Sequence, residues 1–530
     1  MAGAQYTPLT SSSHRFSWSD AIVSNTVELP LWAALLGVAL ASLWLLQHFL
    51  LPSARWILRR RANRLIDEVN KRLALRIPSF KLTRRTVLVD RLTYHPRVIE
   101  LVDELANVED IPREALMKKV NLYAREIVPA FNALVYFKSA YWVARRVVHA
   151  LYRVRLGFAN DQALAKLGPE SSVVFIMNHR SNMDYIVATY LAAERTALSY
   201  AVGEWARIWP LQQLIRAMGG FFVRRESGNT LYRRVLECYV QMAAEGGVPQ
   251  AVFPEGRLSR DGKLGAARMG LLGYITRGFD PLGERDIVFI PVGINYDRVI
   301  EDRTLLRSAQ KQPKRTLAFS LRTFFAYGCK SLWQAVRGKR YRHGYACVNF
   351  GEPVSLRNWM QTRQLDAGEL DDVEPLATDL MQRIGNITPI LPVALVASLF
   401  VRDLSRQYSN IELKADVLAL LEELEKKGHR AYIPRGDYNY AVDVGIRMLT
   451  LRNILDDDNG LLTVRPQEHT IVRYYANSIA HLLIELGNRA TVNEQSPVQE
   501  FINPEQIDNR ADNQTPTRLE QDIREPAPPE

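Results

Sequence analysis

The stretch FIMNHRSNMDYIV, Phe175–Val187, joins an apolar run to a polar turn and then to a second apolar run. The first run predicts a buried strand that ends near His179, and the segment from Asp184 onward predicts a helix. Residues five apart on one unbroken α-helix lie about 140° apart around its axis. His179 and Asp184 can therefore meet only if a loop separates the strand from the helix.

Such a loop brings a carboxylate to an imidazole. Asp184 can accept a hydrogen bond from one ring nitrogen of His179 and fix the tautomer, so that the other nitrogen acts as a general base. The structural alternative is that Asp184 or Asn182 only caps the helix. The stretch by itself is compatible with both interpretations.

Strand-like runs recur along this part of the chain and alternate with helical segments. They are VVFIM (173–177), LSYAV (198–202), AVFP (251–254), IVFIPVGI (287–294) and YACVNF (345–350). Strands that alternate with helices predict an α/β fold with a largely parallel sheet flanked by helices. In such sheets, functional groups gather beyond the carboxyl ends of the strands.

A second polar strand end occurs in GGFFVRR, Gly219–Arg225. Its two glycines, the second being Gly220, let the backbone approach a ligand closely, and a short apolar run with Phe222 leads to two arginines. Arg224 and Arg225 suit a phosphate, which they can bind through charge-assisted hydrogen bonds. The alternative is a turn with surface arginines.

Two more polar segments follow predicted strands. FPEGRLSRDGKL, Phe253–Leu264, places a carboxylate beside residue types that bind phosphate, and its candidate residues are Glu255, Gly256, Arg257, Ser259, Arg260 and Lys263. IPVGINYDRV, Ile290–Val299, contains Pro291 and ends in a polar loop. The alternatives are a solvated charged loop for the first segment and a plain strand exit for the second.

The composition is that of a large globular protein with a basic surface. The chain has 530 residues, an apolar share of 47% and a net charge of +11. These values predict two or three domains and an anionic partner or substrate. The three cysteines, Cys238, Cys329 and Cys347, are far apart. They are expected to be reduced, buried thiols in a cytosol-facing protein, and no metal site can be built from them.

Leu31–Leu51 contains 21 residues without Asp, Glu, Lys or Arg. That is long enough to span the hydrocarbon core of a membrane, and the alternative is a buried core helix. Only Arg15 precedes it as an arginine or lysine, whereas five arginines follow, at positions 55, 59, 60, 61 and 64. The positive-inside rule then places the large C-terminal part in the cytoplasm, at an inner or cell membrane. There the arginines can meet anionic lipid headgroups.

These features divide the chain into six regions. They are a polar N-terminal tail (1–30), a transmembrane helix (31–51), a helical membrane-proximal region (53–160), an α/β core (161–365), a helical C-terminal domain (366–492) and a disordered tail (493–530). Phe131–Gly157 predicts one long basic and aromatic helix, which lies either on the membrane surface or against the next domain. Asn386–Val401 predicts a buried helix, because it is short for a membrane span.

The four strand-end motifs, taken in order, resemble the glycerolipid acyltransferase superfamily, and specifically the glycerol-3-phosphate acyltransferases. That family has a His-x4-Asp block, a Gly-x-Phe-Phe-Ile-Arg-Arg block, a Phe-x-Glu-Gly block and a Pro-containing strand block, which match His179–Asp184, Gly219–Arg225, Phe253–Arg260 and Ile290–Arg298. HRSNMDY is similar to the family's HRSHMDY, and NYDRVIE to its SYDRIIE. GEPVSL (351–356) and TPILPVALVASL (388–399) resemble later features of the same branch, so the resemblance covers roughly residues 85–490.

Two positions depart from the family pattern. Asn182 stands where the branch has a second histidine. Leu258 stands where the family's Glu-Gly-x-Arg-Ser-Arg block has its first arginine, while Arg257 lies one position earlier. The phosphate role in this block therefore falls on Arg260 rather than on Arg257.

The resemblance implies a membrane-bound enzyme that transfers a fatty acyl group from acyl-CoA or acyl-carrier protein to the sn-1 hydroxyl of glycerol 3-phosphate, which is the first step of phospholipid biosynthesis. It makes His179 the general base and Asp184 its orienting group. It assigns the substrate phosphate to three arginines, Arg224, Arg225 and Arg260. Glu255 is then expected to orient these arginines. Further residues of the matching motifs are Gly220, Phe222, Gly256, Ser259 and Pro291.

The acyl donor is a co-substrate, and no cofactor is expected. The sequence has no Gly-x-Ser-x-Gly elbow and no cysteine with a base in its sequence context, which favours direct transfer over an acyl-enzyme. The alternatives are acylation of dihydroxyacetone phosphate or of a lysophospholipid and, as a different class, a catalytically inactive, membrane-tethered lipid-binding protein. Nucleic-acid binding is disfavoured, because the basic residues flank the predicted membrane segment and no known nucleic-acid module occurs.

Overall fold

The computed structural model describes residues 30–73, 75–158, 167–168, 170–192, 196–209, 211–224, 228–309, 343–365, 373–429 and 431–485. The predicted disordered tail (493–530) and all of the predicted N-terminal tail except Pro30 lie outside the described residues. The N-terminal part of the described chain is helical. Its helices are α1 (Leu31–Leu45), α2 (Leu51–Asn70), α3 (Ser79–Leu82), α4 (Arg85–Thr93), α5 (Pro96–Val108), α6 (Arg113–Ile127) and α7 (Tyr141–Leu151), with π-helical turns at Leu46–Leu50 and Val135–Ala140.

Helix α1 and the π-helical turn after it contain a candidate membrane span. Leu31–His48 is, among the described residues, the one helical segment long and apolar enough to cross a membrane, and none of it is buried. Large apolar side chains point outward all round, for example Trp32 (69% exposed) and Val38 (65% exposed). A helix that is apolar on every side needs an apolar surrounding. The exposure of these side chains argues against the alternative that Leu31–Leu51 is a buried core helix.

The central element is an eight-stranded mixed sheet. Its strands are β1 (Arg153–Leu156), β2 (Ser171–Met177), β3 (Ser199–Gly203), β4 (Phe221–Val223), β5 (Gln250–Val252), β6 (Asp286–Tyr296), β7 (Tyr345–Phe350) and β8 (Val354–Ser355). The order is β1-β7-β6-β2-β5-β3-β4, with β8 also paired to β6. The five strands from β6 to β4 are parallel to one another, whereas β7 and β8 run antiparallel to β6. The predicted α/β fold with a largely parallel sheet is confirmed.

The side chains of β2 alternate between two apolar clusters, which explains why this strand reads as a continuous apolar run. Val173, Phe175 and Met177 pack into the larger cluster with α7 and the C-terminal helices. Val174 and Ile176 pack into a second cluster with α4, α5 and α6. Successive side chains of a strand point to opposite faces, so helices on both sides of the sheet bury the whole strand.

Helices connect the strands of the sheet. They are α8 (Met183–Ala192), α9 (Leu211–Ala217), α10 (Thr230–Glu245), α11 (Met269–Thr276), α12 (Asp302–Ala309) and α13 (Leu356–Thr362), with a 3₁₀ turn at Glu204–Ala206. Because β2, β5, β3 and β4 are parallel, the loops that follow them lie along one edge of the sheet. We call this edge, with the exits of these four strands and of β6, the carboxyl edge.

The prediction of one long helix over Phe131–Gly157 is wrong at its C-terminal end. Helix α7 ends at Leu151, and Tyr152 has extended backbone angles (φ −129°, ψ 160°). Arg153–Leu156 then form the edge strand β1, which pairs with Tyr345–Val348 of β7. The alternation of Arg and apolar residues fits an edge strand with one buried side, and pairing with a strand almost 200 residues away overrides the helical pattern.

The C-terminal part is mainly helical but also holds a small antiparallel sheet. Its elements are α14 (Glu374–Asn386), α15 (Pro392–Arg402), β9 (Tyr408–Ser409), α16 (Asn410–Lys426), α17 (Tyr438–Thr450), β10 (Leu455–Asp458), β11 (Leu461–Val464), α18 (His469–Ala476) and α19 (Ala480–Glu485), with 3₁₀ turns at Pro434–Gly436 and Pro466–Glu468. Every residue of α15 from Pro392 to Phe400 is buried, which confirms the buried helix expected there.

The exit of β6 joins the sheet to this C-terminal part. The carboxylate of Asp297 accepts hydrogen bonds from the amides of Tyr345 (2.8 Å) and Val393 (3.2 Å), and so caps the start of α15. The side-chain amide of Asn295 donates to the carbonyl of Pro389 at 2.9 Å. On the same strand, a Cβ at Gly293 would lie 2.6 Å from the carbonyl oxygen of Ile387, so only glycine fits there.

Two of the three cysteines lie in the described part of the chain. Cys238 and Cys347 are both free and buried, as expected from the sequence. Burial raises the pKa of the Cys238 thiol to about 11 and that of Cys347 to about 12. Both are therefore inert, protonated thiols at neutral pH. Cys329 lies outside the described residues.

Candidate active site

His179 and Asp184 meet at the carboxyl edge, where β2 gives way to α8. Nδ1 of His179 lies 2.9 Å from Oδ2 of Asp184, and both side chains are buried. An ionised carboxylate can only accept a hydrogen bond, so Nδ1 carries the proton in this arrangement. Nε2 of His179 makes no hydrogen bond within the described part of the chain. Its lone pair is therefore available to a substrate.

The same carboxylate also shapes the loop. Oδ2 of Asp184 accepts hydrogen bonds from the backbone amides of Arg180 (2.7 Å) and Ser181 (3.0 Å). These bonds fold the residues between strand and helix into the turn that brings position 184 back to position 179. One carboxylate thus orders the turn and holds the imidazole, and its backbone hydrogen bonds go to amides that precede α8.

Tyr296, the last residue of β6, is a member of this site that the sequence reasoning missed. Its hydroxyl donates to Oδ1 of Asp184 at 2.7 Å, and its side chain is fully buried. Asp184 therefore accepts four hydrogen bonds, counting that from His179. The only signal in the sequence was a tyrosine at the exit of a strand, and the pairing of β6 beside β2 turns it toward the carboxylate.

The loop after β5 holds the backbone of His179. Oε1 of Glu255 accepts a hydrogen bond from the His179 amide (2.8 Å), and Oε2 accepts one from the Gly265 amide (3.0 Å). The amide of Ser259 donates to the His179 carbonyl at 2.9 Å. Burial raises the pKa of Glu255. Glu255 was expected to orient arginines; among the described residues, its hydrogen-bond partners are these two backbone amides.

Ser259 and two glycines determine the path of this loop. The Ser259 hydroxyl donates to the Lys263 carbonyl (2.7 Å) and accepts from the Gly262 amide (3.1 Å). Gly262 has a φ of +91°, and a Cβ there would lie 1.9 Å from the carbonyl oxygen of Tyr474. Gly256, with a φ of +66°, is also in the left-handed region. The loop therefore sits tightly between β2 and α18.

Aromatic rings enclose the imidazole. The ring of Phe253 stacks on that of His179 with centroids 4.1 Å apart, and Tyr185 meets it edge-on at 5.4 Å. These contacts fix the plane of the imidazole and keep water from its sides.

Arg180, in the turn between β2 and α8, is a charged residue with a buried side chain. Its side chain is 3% exposed, and its guanidinium donates to the Gly262 carbonyl and lies 5.2 Å from the ring centroid of Tyr474. Nε and one terminal nitrogen have no hydrogen-bond partner in the described part of the chain. The guanidinium ties the loop after β5 to α18.

Asn182 and Ser181 bind a second carboxylate. The Ser181 hydroxyl donates to Oε2 of Glu301 (2.7 Å), and the backbone amide of Asn182 donates to Oε1 (3.3 Å). Burial raises the pKa of Glu301. The position at which the family has a second histidine thus contributes its backbone to the turn.

Arg224 follows β4 at the same edge but is already engaged. Its guanidinium forms a bidentate pair with Glu126 of α6, at 3.0 and 2.7 Å. Arg207, which follows β3, binds the same carboxylate at 2.9 Å. The sequence reasoning missed Glu126, which lies 98 residues from Arg224. Three strand spacings of about 4.8 Å separate β4 from β2, which puts the backbone of Arg224 roughly 14 Å from that of His179.

The remaining predicted site residues differ in their surroundings. Arg260 is exposed on the loop after β5, whereas Phe222 and Pro291 are buried within the sheet. Gly220 precedes β4, and a Cβ there would lie 2.7 Å from Cγ2 of Ile215. Arg225 lies outside the described residues. The structure thus brings together His179, Asp184, Glu255, Gly256 and Ser259, and it places Arg224 farther along the edge.

Two family models match this chain. The one described as acyltransferase matches residues 156–295, and the one described as glycerol-3-phosphate acyltransferase C-terminal region matches residues 330–508. Together they include the strands of the carboxyl edge and most of the C-terminal helices.

Curated relatives carry the same description. The glycerol-3-phosphate acyltransferase of Pseudomonas aeruginosa strain UCBPP-PA14 is 28% identical over 447 residues, covering 80% of this chain and 51% of that protein. Those of Pseudoalteromonas atlantica and Xanthomonas campestris are 27% and 25% identical, covering 61% and 82% of this chain and 40% and 49% of their own lengths. The chain thus spans about half the length of the curated relatives it matches.

Among solved structures, the 1-acyl-sn-glycerophosphate acyltransferase of Thermotoga maritima aligns with 54% of this chain and 98% of its own, at 16% identity and a TM-score of 0.26. The fold assignment rests on the strands described above and not on this alignment.

Proposed function

We propose, from the premise that the chain belongs to the glycerol-3-phosphate acyltransferase family, that it transfers a fatty acyl group from acyl-CoA or acyl-carrier protein to the sn-1 hydroxyl of glycerol 3-phosphate. The products are lysophosphatidate and the free thiol of the donor. The observation that carries the proposal is the buried hydrogen bond between His179 and Asp184, with Nε2 of His179 left without a partner among the described residues.

The reaction needs a base, because an alcohol is a weak nucleophile until its proton is removed. Nε2 of His179 takes the proton as the sn-1 oxygen attacks the thioester carbonyl. Asp184 stabilises the resulting imidazolium through the Nδ1 hydrogen bond. When the tetrahedral intermediate collapses, the C–S bond breaks and the imidazolium returns the proton to the departing thiolate. A positioned base of this kind contributes about 10²- to 10⁴-fold to the rate.

The phosphate of the acceptor is assigned to Arg224, Arg225 and Arg260. Arg260 is exposed at the mouth of the loop after β5 and has no ion pair in the described part of the chain. Arg224 shares the carboxylate of Glu126 with Arg207, so two positive charges face one negative charge at the end of β3 and β4. The excess positive charge favours a dianionic phosphate, and holding it orients the sn-1 hydroxyl.

The membrane arrangement follows the same proposal. The apolar segment Leu31–His48 anchors the chain, and the exposed arginines Arg60, Arg61 and Arg64 of α2 lie directly after it. We infer that the catalytic part faces the cytoplasm, where both candidate acyl donors and glycerol 3-phosphate are available. The product, an amphiphile, can then enter the adjacent bilayer.

An acceptor panel with the purified full chain tests the proposal. Glycerol 3-phosphate, dihydroxyacetone phosphate, lysophosphatidate and water are each supplied with acyl-CoA and with acyl-carrier protein. We expect acyl transfer to glycerol 3-phosphate and its loss in His179→Gln, which stays folded and membrane-bound. Preferred acylation of another acceptor would assign a different substrate, and normal turnover by His179→Gln would overturn the mechanism.

A further inference from the structure

A cationic cavity lies near the amino ends of β3 and β5. Its volume is about 240 Å³, and α3, the start of α4, residues 129–131 and the amino ends of β3 and β5 surround it. Three of its lining residues are basic, Lys81, Arg84 and Arg85, and others such as Phe80 and Leu82 are apolar. We call it the Lys81 cavity.

Lys81 is a buried cation without a counter-charge. Its side chain is 7% exposed, and its ammonium donates to the carbonyls of Ala197 (2.7 Å) and Leu198 (2.9 Å). It lies 4.6 Å from the ring centroid of Phe131. No carboxylate of the described chain pairs with it, and burial lowers its pKa to about 7, so an anion beside it would favour the charged form. A buried charge is costly unless a charge of opposite sign accompanies it.

The two arginines add to this imbalance. Arg85 donates to the carbonyl of Val128 at 3.0 Å and to that of Arg125, and Arg84 is exposed at the rim. Neither forms an ion pair with an acidic residue in the described ranges. The cavity therefore presents three basic groups, and their hydrogen bonds to protein, where present, go to uncharged carbonyl oxygens. All three line the same cavity, which therefore favours an anionic ligand.

The Lys81 cavity lies away from His179. Ser199, which lines it, is the first residue of β3, and its register partner Gln250 on β5 pairs in turn with Val174 of β2. His179 lies five residues farther along β2, at the opposite edge of the sheet. At about 3.3 Å per residue and about 4.8 Å per strand, the two backbones are roughly 19 Å apart.

We propose that the Lys81 cavity binds the phosphate group of an anionic amphiphile, with the phosphate at Lys81, Arg84 and Arg85 and the adjoining carbon chain against Phe80 and Leu82. Pockets that enclose a whole drug-sized ligand hold about 300–1,000 Å³. The smaller volume here suits a headgroup and the first methylene groups, with the rest of the chain outside. Leu82, at the rim, is 41% exposed and continues the apolar lining outward.

Binding measurements on the purified full chain in neutral detergent test this proposal. The probes are phosphatidate, phosphatidylcholine with the same acyl chains, and inorganic phosphate, each titrated with glycerol 3-phosphate in excess so that the proposed acceptor site stays filled. We expect phosphatidate to bind about tenfold more tightly than phosphatidylcholine, because only its phosphomonoester can carry two charges. Equal affinities of these two lipids would overturn the proposal. So would a dissociation constant for inorganic phosphate equal to that of phosphatidate, since the site would then bind soluble phosphate.

Substitutions locate the binding. Lys81→Met keeps the length of the side chain and removes its charge, and Arg84→Gln removes the charge of an exposed side chain. Each is expected to weaken phosphatidate binding about tenfold. Arg91→Gln, an exposed position on α4 that does not line the cavity, is the matched control and leaves binding unchanged. Equal binding by Arg84→Gln and Arg91→Gln would refute the location. His179→Gln is expected to retain full binding, which separates this site from the proposed acyl transfer.

Discussion

The hydroxyl of Tyr296 donates a 2.7 Å hydrogen bond to Oδ1 of Asp184, the carboxylate oxygen that His179 does not use. Three parts of the chain thus converge on one carboxylate: the β2 exit, the first turn of α8 and the end of β6. Tyr296 itself lies between Asn295 and Asp297, which bind the C-terminal part. The end of β6 therefore contacts both the carboxylate that orients the imidazole and the C-terminal part of the chain.

Tyr296→Phe should lower kcat about tenfold or more, because a hydrogen bond to a charged group contributes about 1.5–3 kcal/mol. Steady-state kinetics measure this effect. Tyr474→Phe is the control, since the hydroxyl of Tyr474 is buried and has no hydrogen-bond partner among the described residues. An unchanged kcat in Tyr296→Phe would contradict this role of Tyr296.

Glu126→Gln should lower the thermal unfolding midpoint, because it leaves Arg207 and Arg224 without their shared counter-charge. The carboxylate is 7% exposed, but the two guanidinium groups are about one-third exposed, so solvent screens part of the loss. We expect a destabilisation of about 1–2 kcal/mol, measured by differential scanning fluorimetry. Glu109→Gln, an exposed position near the end of α5, should change nothing. Equal midpoints for the two variants would show that the arginine pair on Glu126 adds no stability.

The stability of the protein should depend on Asp297 between about pH 4 and pH 6. Burial raises the pKa of this carboxyl from 3.8 to about 6. Between these two pKa values the folded chain holds a proton that the unfolded chain has lost. The contribution of Asp297 to stability therefore falls as the pH rises from about 4 to about 6 and stays constant above pH 6. A shift of about two units corresponds to roughly 3 kcal/mol.

Unfolding midpoints of the wild type and of Asp297→Asn, taken from pH 4 to pH 7.5, test this. The variant cannot titrate, so the midpoint of the wild type relative to it should decline up to about pH 6 and then level off. Asp403→Asn alters a carboxylate that is exposed at the surface and should not reproduce this profile. A constant difference between wild type and Asp297→Asn across the range would argue against the shift.

Gly262→Ala should impair both stability and activity. The added methyl group would meet the Tyr474 carbonyl at 1.9 Å, and a φ of +91° is unfavourable for alanine. We expect a loss of at least about 1–3 kcal/mol and displacement of the loop that holds the backbone of His179. Gly270→Ala is the control, because nothing lies within 4 Å of the added atom and alanine favours the helix. The placement of the loop would be wrong if Gly262→Ala kept normal turnover and stability.

The strands of the sheet and the His179–Asp184 pair could be predicted from local sequence, because both depend on residues close together in the chain. An apolar run bounded by polar residues identifies a strand buried on both faces, and five residues with a turn between them bring an aspartate back to a histidine. β2, β3, β5, β6 and β7 all lie where the runs predicted them, within one or two residues. The same local reasoning failed at Arg153–Leu156, where a distant partner strand decides the conformation.

Only the tertiary structure decided which groups surround these residues. Glu126 reaches Arg224 across 98 residues and Tyr296 reaches Asp184 across 112. Neither contact leaves a periodic or spaced signal in the chain, because strand order and helix packing determine it. The sequence by itself determined the fold class and the pairing of His179 with Asp184. The tertiary structure added the tyrosine on that carboxylate and the glutamate between the arginines, since the partner of a buried charge depends on what the fold packs against it.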